Sequence, residues 1–341
     1  MKRMPAPYSA RRHLARGVTL IELMISLVLG LLVVAAAIGI FASNKQVFRS
    51  TENLSRLQEN ARVAYELMAR EVREAGGNPC SRNVPIVNVV NASANDWWRN
   101  WTDGVHGYEG TEAFVGAPFG AGIGGRVNGT DAIELRSGAP GEVTVTDHKP
   151  NSAQFKVNTN DHGLSDGDIV MVCDFVQGSI FQITQAQNGI NNTVVHNTGT
   201  GTPGNCSKGL GWANPPDCTT NGKSYAYGPN STIARLRATA WYIGNNGRNG
   251  GRSLYQTSIR NNGGEVETIN QEITEGVQNM QIQYLAPGAV NYVDAAAGTD
   301  WPRVSAVRIV LSMQGQDNVS TSGGKLGRTV EHVVTLRNRN L

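Results

Sequence analysis

One carboxylate, Glu22, the fifth residue counted from Val18 of Gly17-Val18, heads an apolar run from Leu23 to Ala42. A carboxylate so placed costs on the order of 2.5–3.5 kcal/mol at the centre of a bilayer, so its chemistry is ion pairing with a cation that it must find. With the chain cut between Gly17 and Val18, the nearest new cation is the freed α-amino group of Val18, its own or that of a neighbouring copy.

The other reactive residue types are dispersed. His13, His106, His148, His162, His196 and His332 show no metal-ligand spacing, and no nucleophile triad is visible. Asp161, Asp166 and Asp168 cluster around Gly163 and Gly167, but the calcium-loop pattern D-x-[DN]-x-[DN]-G is absent, and a turn entering a strand is the preferred reading. The glycine-rich stretches 122–125 and 244–251 lack a strand feeding a helix with a Lys, so they read as loops and hairpin turns rather than phosphate cradles. Trp97, Trp98 and Trp101, with Tyr108 and Arg99, form an aromatic insertion suited to covering a sheet or to meeting a subunit or ligand. Arg328, Arg337 and Arg339 near the C-terminus are better explained as solvated sheet-edge charge than as a DNA contact. No catalytic residue, cofactor site or metal site is expected.

These residues need elements to hold them. Lys2, Arg3, Arg11, Arg12 and Arg16 precede Gly17 with no acidic residue among them, which keeps the leader on the cytoplasmic face. The apolar run after it, at 1.5 Å rise per residue, spans about 30 Å and is long for a secretory signal. The remainder then faces outward. The leader accounts for five of the 30 Lys+Arg, leaving 25 cations against 27 Asp+Glu, so a strongly basic nucleic-acid surface is not supported. Beyond the bilayer, Val47, Leu54, Leu57, Ala61, Ala64, Met68 and Val72 recur at helical spacing, with Arg49 to Arg73 filling the other faces as solvated charge, until Gly76-Gly77-Asn78-Pro79 ends the helix.

After Pro79 the pattern changes to short β-type runs between Gly, Asn, Asp and Pro. Strands are expected at 84–90, 132–136, 142–146, 154–157, 168–174, 179–184, 233–243, 253–256, 277–284, 304–313 and 331–336. Val307, Ile309, Leu311 and Met313 alternate onto one face of the best of them. With 40 Gly and 40% hydrophobic residues, this portion suits one β-rich domain. Cys80, Cys173, Cys206 and Cys218 lie on its oxidising side, so disulfides come first, and the absence of any C-x-x-C weighs against a four-thiolate zinc site. Cys206 with Cys218 closes a short loop of no periodic pattern, leaving Cys80 with Cys173; three connectivities remain open.

Gly17 followed by Val18-Thr19-Leu20-Ile21-Glu22, after basic residues and before an apolar helix, resembles the class III signal of type IV pilins and type II secretion pseudopilins. The resemblance implies cleavage between Gly17 and Val18 by the prepilin peptidase, N-methylation of Val18, and neutralisation of a neighbour's N-terminus by Glu22. The segments 57–62, 68–76, 167–172 with 181–184, 241–244, 275–281 and 335–339 are similar to PilW-type minor pilins, in the same order. That likeness implies an α+β, type IV pilin-like fold: a long N-terminal helix packed on an antiparallel sheet domain with long loops. The expected division is 1–17 leader, 18–42 transmembrane and filament-core helix, 43–76 amphipathic half of that helix, and 77–341 periplasmic domain.

The function implied is that of a minor type IV pilin, a non-enzymatic subunit that primes or tips the pilus. It would be held in the inner membrane as a single-pass protein before reaching the pilus at the cell surface. Its partners would be the prepilin peptidase, the major pilin, other minor pilins and a large tip adhesin. The alternatives are a J-type minor pseudopilin of type II secretion and, in a different class, a membrane-anchored periplasmic enzyme or DNA-binding module.

Overall fold

The computed structural model describes residues 17–79, 84–91, 93, 96–101, 103–139, 143–248, 251–320 and 323–337. They divide into two compact units after Asn53. Helix α1, Leu20–Glu74, begins in the first unit, where every residue from 17 to 49 is exposed. Among the described residues it is the one helix long and apolar enough to cross a membrane. Its outer surface carries Leu, Ile and Val on all sides, as expected of a helix with lipid for solvent rather than one with a core-facing stripe.

In the second unit the helix becomes amphipathic, and Leu57, Ala61, Ala64, Met68 and Val72 turn into a core with Ile133, Trp241, Met280 and Leu311. The buried stripe begins at Leu57 rather than at Val47, where the spacing would start it: Val47 and Leu54 stay 61% and 42% exposed. The helix ends where Gly76, at φ 70°, donates its N–H to the Arg136 carbonyl and Gly138 donates to that of Gly77.

The strands are β1 (Ile86–Asn88), β2 (Val105–Tyr108), β3 (Ala132–Gly138), β4 (Val143–Lys149), β5 (Gln154–Val157), β6 (Ile169–Cys173), β7 (Gly178–Gln182), β8 (Gln185–Ala186), β9 (Thr193–Val195), β10 (Thr232–Asn245), β11 (Arg252–Asn262), β12 (Glu265–Glu275), β13 (Val277–Leu285), β14 (Ala306–Gln314) and β15 (Gly327–Thr335). The pairing is antiparallel throughout except for β1 beside β7, which is parallel. β10 organises the larger sheet. Its first residues pair with β6 and β4, and its later ones with β3 and β11.

The order β13-β14-β15 forms a separate three-stranded sheet. Val307, Ile309, Leu311 and Met313 of β14 are buried while Arg308, Val310 and Ser312 between them are partly exposed, the alternation that the sequence announces. The chain passes from β12 in one sheet to β13 in the other through Gly276, at φ 83°, where a Cβ would sit 2.7 Å from the Gln314 carbonyl oxygen. Only glycine satisfies both demands. A second apolar cluster, including Val145, Phe155, Val172, Phe181 and Ile233, draws on β4, β5, β6, β7 and the start of β10.

Candidate functional site

Gly17 and Val18 are exposed and precede the first helical turn. Thr19 caps that turn: its Oγ1 accepts the Glu22 N–H at 3.2 Å, while Glu22 Oε2 accepts the Thr19 N–H and Oγ1–H, each at 3.0 Å. This reciprocal arrangement is a capping box, and it satisfies helix-end donors that have no partner within the helix. The signal for it, Thr-x-x-Glu, is legible in the chain, although ion pairing alone was expected of Glu22. The consequence is chemical. Glu22 is held at the head of the helix one turn from Val18, already serving as an acceptor, so its carboxylate is oriented rather than freely rotating.

Further along α1, Glu71 corrects the expectation that all the charges of the helix are solvated. Its Oε2 accepts from Thr239 Oγ1 at 2.7 Å and from Trp241 Nε1 at 2.6 Å, and its Oε1 accepts from Gln256 Nε2 at 2.7 Å. Desolvation raises its pKa, against the lowering effect of these three hydrogen bonds. Glu71 thereby ties the helix to β10 and β11. By contrast, Arg62 and Glu66 form the expected i,i+4 pair at 3.5 Å, well exposed and worth little.

Cys206 and Cys218 are bonded to each other with Cα atoms 4.9 Å apart. Cys173 is disulfide-bonded, while Cys80 lies outside the described residues. Asp168 is taken up by its neighbours in the protein. Its Oδ2 accepts from Arg235 and from the Ser165 N–H, and its Oδ1 accepts from Asn261. Asp166 accepts the Ala186 N–H, so this cluster secures the turn into β6.

Trp98 is buried, Trp97 packs edge-on to Phe114, and Tyr108 stacks on Phe114 while donating to Glu134. Much of the aromatic insertion therefore covers the sheet. Glu134 in turn is ion-paired with the buried Arg136. His332 stacks on Tyr65 at 3.6 Å between ring centroids. His13 and Arg339 lie outside the described residues.

Two histidines far apart in the chain meet in the second core. His148 Nδ1 accepts the Tyr227 N–H at 3.1 Å, which places the proton of a neutral His148 on Nε2, and this donates to His196 Nε2 at 3.2 Å. The remaining N–H of His196, on Nδ1, is buried without a partner. Burial pushes His148 down to about 4; burial, and then the neighbouring His148, push His196 down to about 3. Both rings are neutral at ordinary pH and act as polar spacers between Phe155, Phe181 and Tyr227.

Residues 12–38 match the family model of the prokaryotic N-terminal methylation motif, and residues 240–334 match the model of type IV pilus-assembly protein W, PilW. The first match spans the Thr19–Glu22 cap, and the second runs from β10 into β15. No curated protein matches the chain.

Proposed function

We propose that this PilW-like prepilin is a minor type IV pilin, a non-enzymatic subunit that joins other minor pilins to prime or tip the filament. The observation that carries the reading is the methylation motif coinciding with a capped, carboxylate-bearing start to an exposed apolar helix. In this scheme residues 1–17 are removed by the prepilin peptidase and Val18 is N-methylated. Residues 18–42 span the inner membrane and later the filament core, 43–76 continue the helix, and 77–341 form the periplasmic domain. Glu22 supplies the negative partner for the Val18 ammonium of an adjacent subunit, the major pilin or another minor pilin, and the finished complex displays a large adhesin at the cell surface.

The driving force is electrostatic and strong because the solvent is lipid. A carboxylate and an ammonium that would each be costly alone in hydrocarbon become tolerable as a pair. Glu22→Ala tests this directly. Processing to mature length is expected to remain while the amount recovered in sheared filaments falls by about tenfold, the equivalent of about 1.4 kcal/mol. Incorporation equal to that of the parent would reject the role given to Glu22.

A further inference from the structure

A half-open cavity of about 870 Å3 lies beside the C-terminal end of α1, with Gly76 and Gly138 on its wall. That volume is in the range of ligand sites. Among the described residues its lining contains Arg99, Arg136 and Arg303 and no Asp or Glu. Arg136 is neutralised by Glu134, but Arg99 makes no ion pair among the described residues, and Arg303 reaches Asp300 only at 4.0 Å. The cavity wall therefore carries one exposed guanidinium, Arg99, with no ion pair among the described residues, and a second, Arg303, held only by a long, exposed pair with Asp300. Two more donors on the same wall, Arg136 Nε and Trp101 Nε1, are buried with no acceptor among the described residues.

β1 supplies the second observation. Among the described residues it is the terminal strand of its sheet path and pairs with β7 alone. The Pro85 carbonyl and the Val89 N–H are turned towards β7, where they bond Gly178 and Ile180. Strand alternation then points the backbone groups of Ile86 and Asn88 the other way, and these are the two β1 residues on the cavity wall. On this side Ile86 and Asn88 have no strand partner among the described residues, and such an edge is a template for another strand.

We infer that the cavity receives an extended acidic segment of a partner protein, which adds as a strand along the free edge of β1 and sets a carboxylate against Arg99 and Arg303. A small free anion would account for the arginines and leave the strand edge without a role. A neutral peptide would account for the edge and leave the charge without one. Guanidinium groups suit carboxylates because they bind them through two parallel hydrogen bonds. The site is independent of the N-terminal chemistry and stands whether or not the chain enters a pilus.

The test is calorimetric titration of the full mature chain in detergent micelles with an end-blocked heptapeptide of alternating Glu and Val. Saturable binding with a Kd below about 100 μM is expected. It should weaken at least about tenfold for the all-Gln peptide and for the Arg99→Glu/Arg303→Glu double variant, whose near-ultraviolet circular dichroism should match the parent. The Glu/Val peptide with alternate backbone nitrogens methylated should not bind, since strand addition needs those N–H groups. The inference fails if the Glu/Val peptide does not saturate by about 1 mM, if the Gln or N-methylated peptide binds equally, or if free glutamate binds as tightly. Unchanged affinity in the double variant would also overturn it.

Discussion

Trp241 of β10 donates its indole N–H to Glu71 of α1 across 2.6 Å, joining a helix residue to a strand residue 170 positions away. Thr239 and Gln256 converge on the same carboxylate, so a single acidic side chain collects three donors from two strands. Glu71→Ala leaves those donors without an acceptor and is expected to destabilise the domain by about 3 kcal/mol. Urea unfolding of the mature protein followed by tryptophan fluorescence measures this, and an unchanged midpoint would show the anchor to be idle.

The His148–His196 pair gives the domain an acid-sensitive core. Both folded values, about 4 and about 3, lie below the ordinary 6.5, so the unfolded chain binds more protons. The stability linked to the pair is complete above pH 6.5 and is lost as pH falls towards and through these folded values, a decline on the order of 3 kcal/mol for each ring by about pH 4. Urea midpoints at pH 7.5 and 4.5 should reveal it. The double variant His148→Leu/His196→Leu should show a flatter acid limb, and an equally steep one would place the titration elsewhere.

Asp131 acts in the opposite direction. Its Oδ2 accepts the Ile282 N–H while Oδ1 is buried without a partner, and desolvation raises the group to about 6. A raised folded value means that its contribution is fully present below the ordinary 3.8 and is lost as pH rises through about 6. Asp131→Asn keeps an acceptor for Ile282 and removes the charge. It should be more stable than the parent at pH 7.5 by on the order of 2 kcal/mol, with the advantage gone at pH 4. A less stable variant at pH 7.5 would contradict this.

The proposed cleavage after Gly17 predicts that Gly17→Glu accumulates at precursor length. A blot of whole cells reads the outcome, and a mature-length band in the variant would end the assignment.

The parts of the fold legible in the chain are those governed by local period. Leu57, Ala61, Ala64, Met68 and Val72 declare a helix face, and 154–157 emerges as β5 with the same bounds. The long strand β12 is not legible, because its eleven residues carry four Glu and it lies at a sheet edge, so no buried face imposes alternation. Glu71 and the histidine pair are hidden for a different reason. Helix spacing shows which residues share a face, but not that Thr239, Trp241 and Gln256 will arrive on it from 168 to 185 positions away. His148 and His196 stand 48 apart, with nothing between them to signal that their rings will touch.

β10 has strands on both flanks along two stretches: Thr232 and Ile233 register with β4 and β6, while Thr239 to Tyr242 register with β3 and β11. Neither stretch can open by surrendering a single neighbour. Opening the second releases two ladders together, so the amides of Thr239 to Tyr242 should exchange hydrogen only through global unfolding, making this stretch the slowest clock in the molecule.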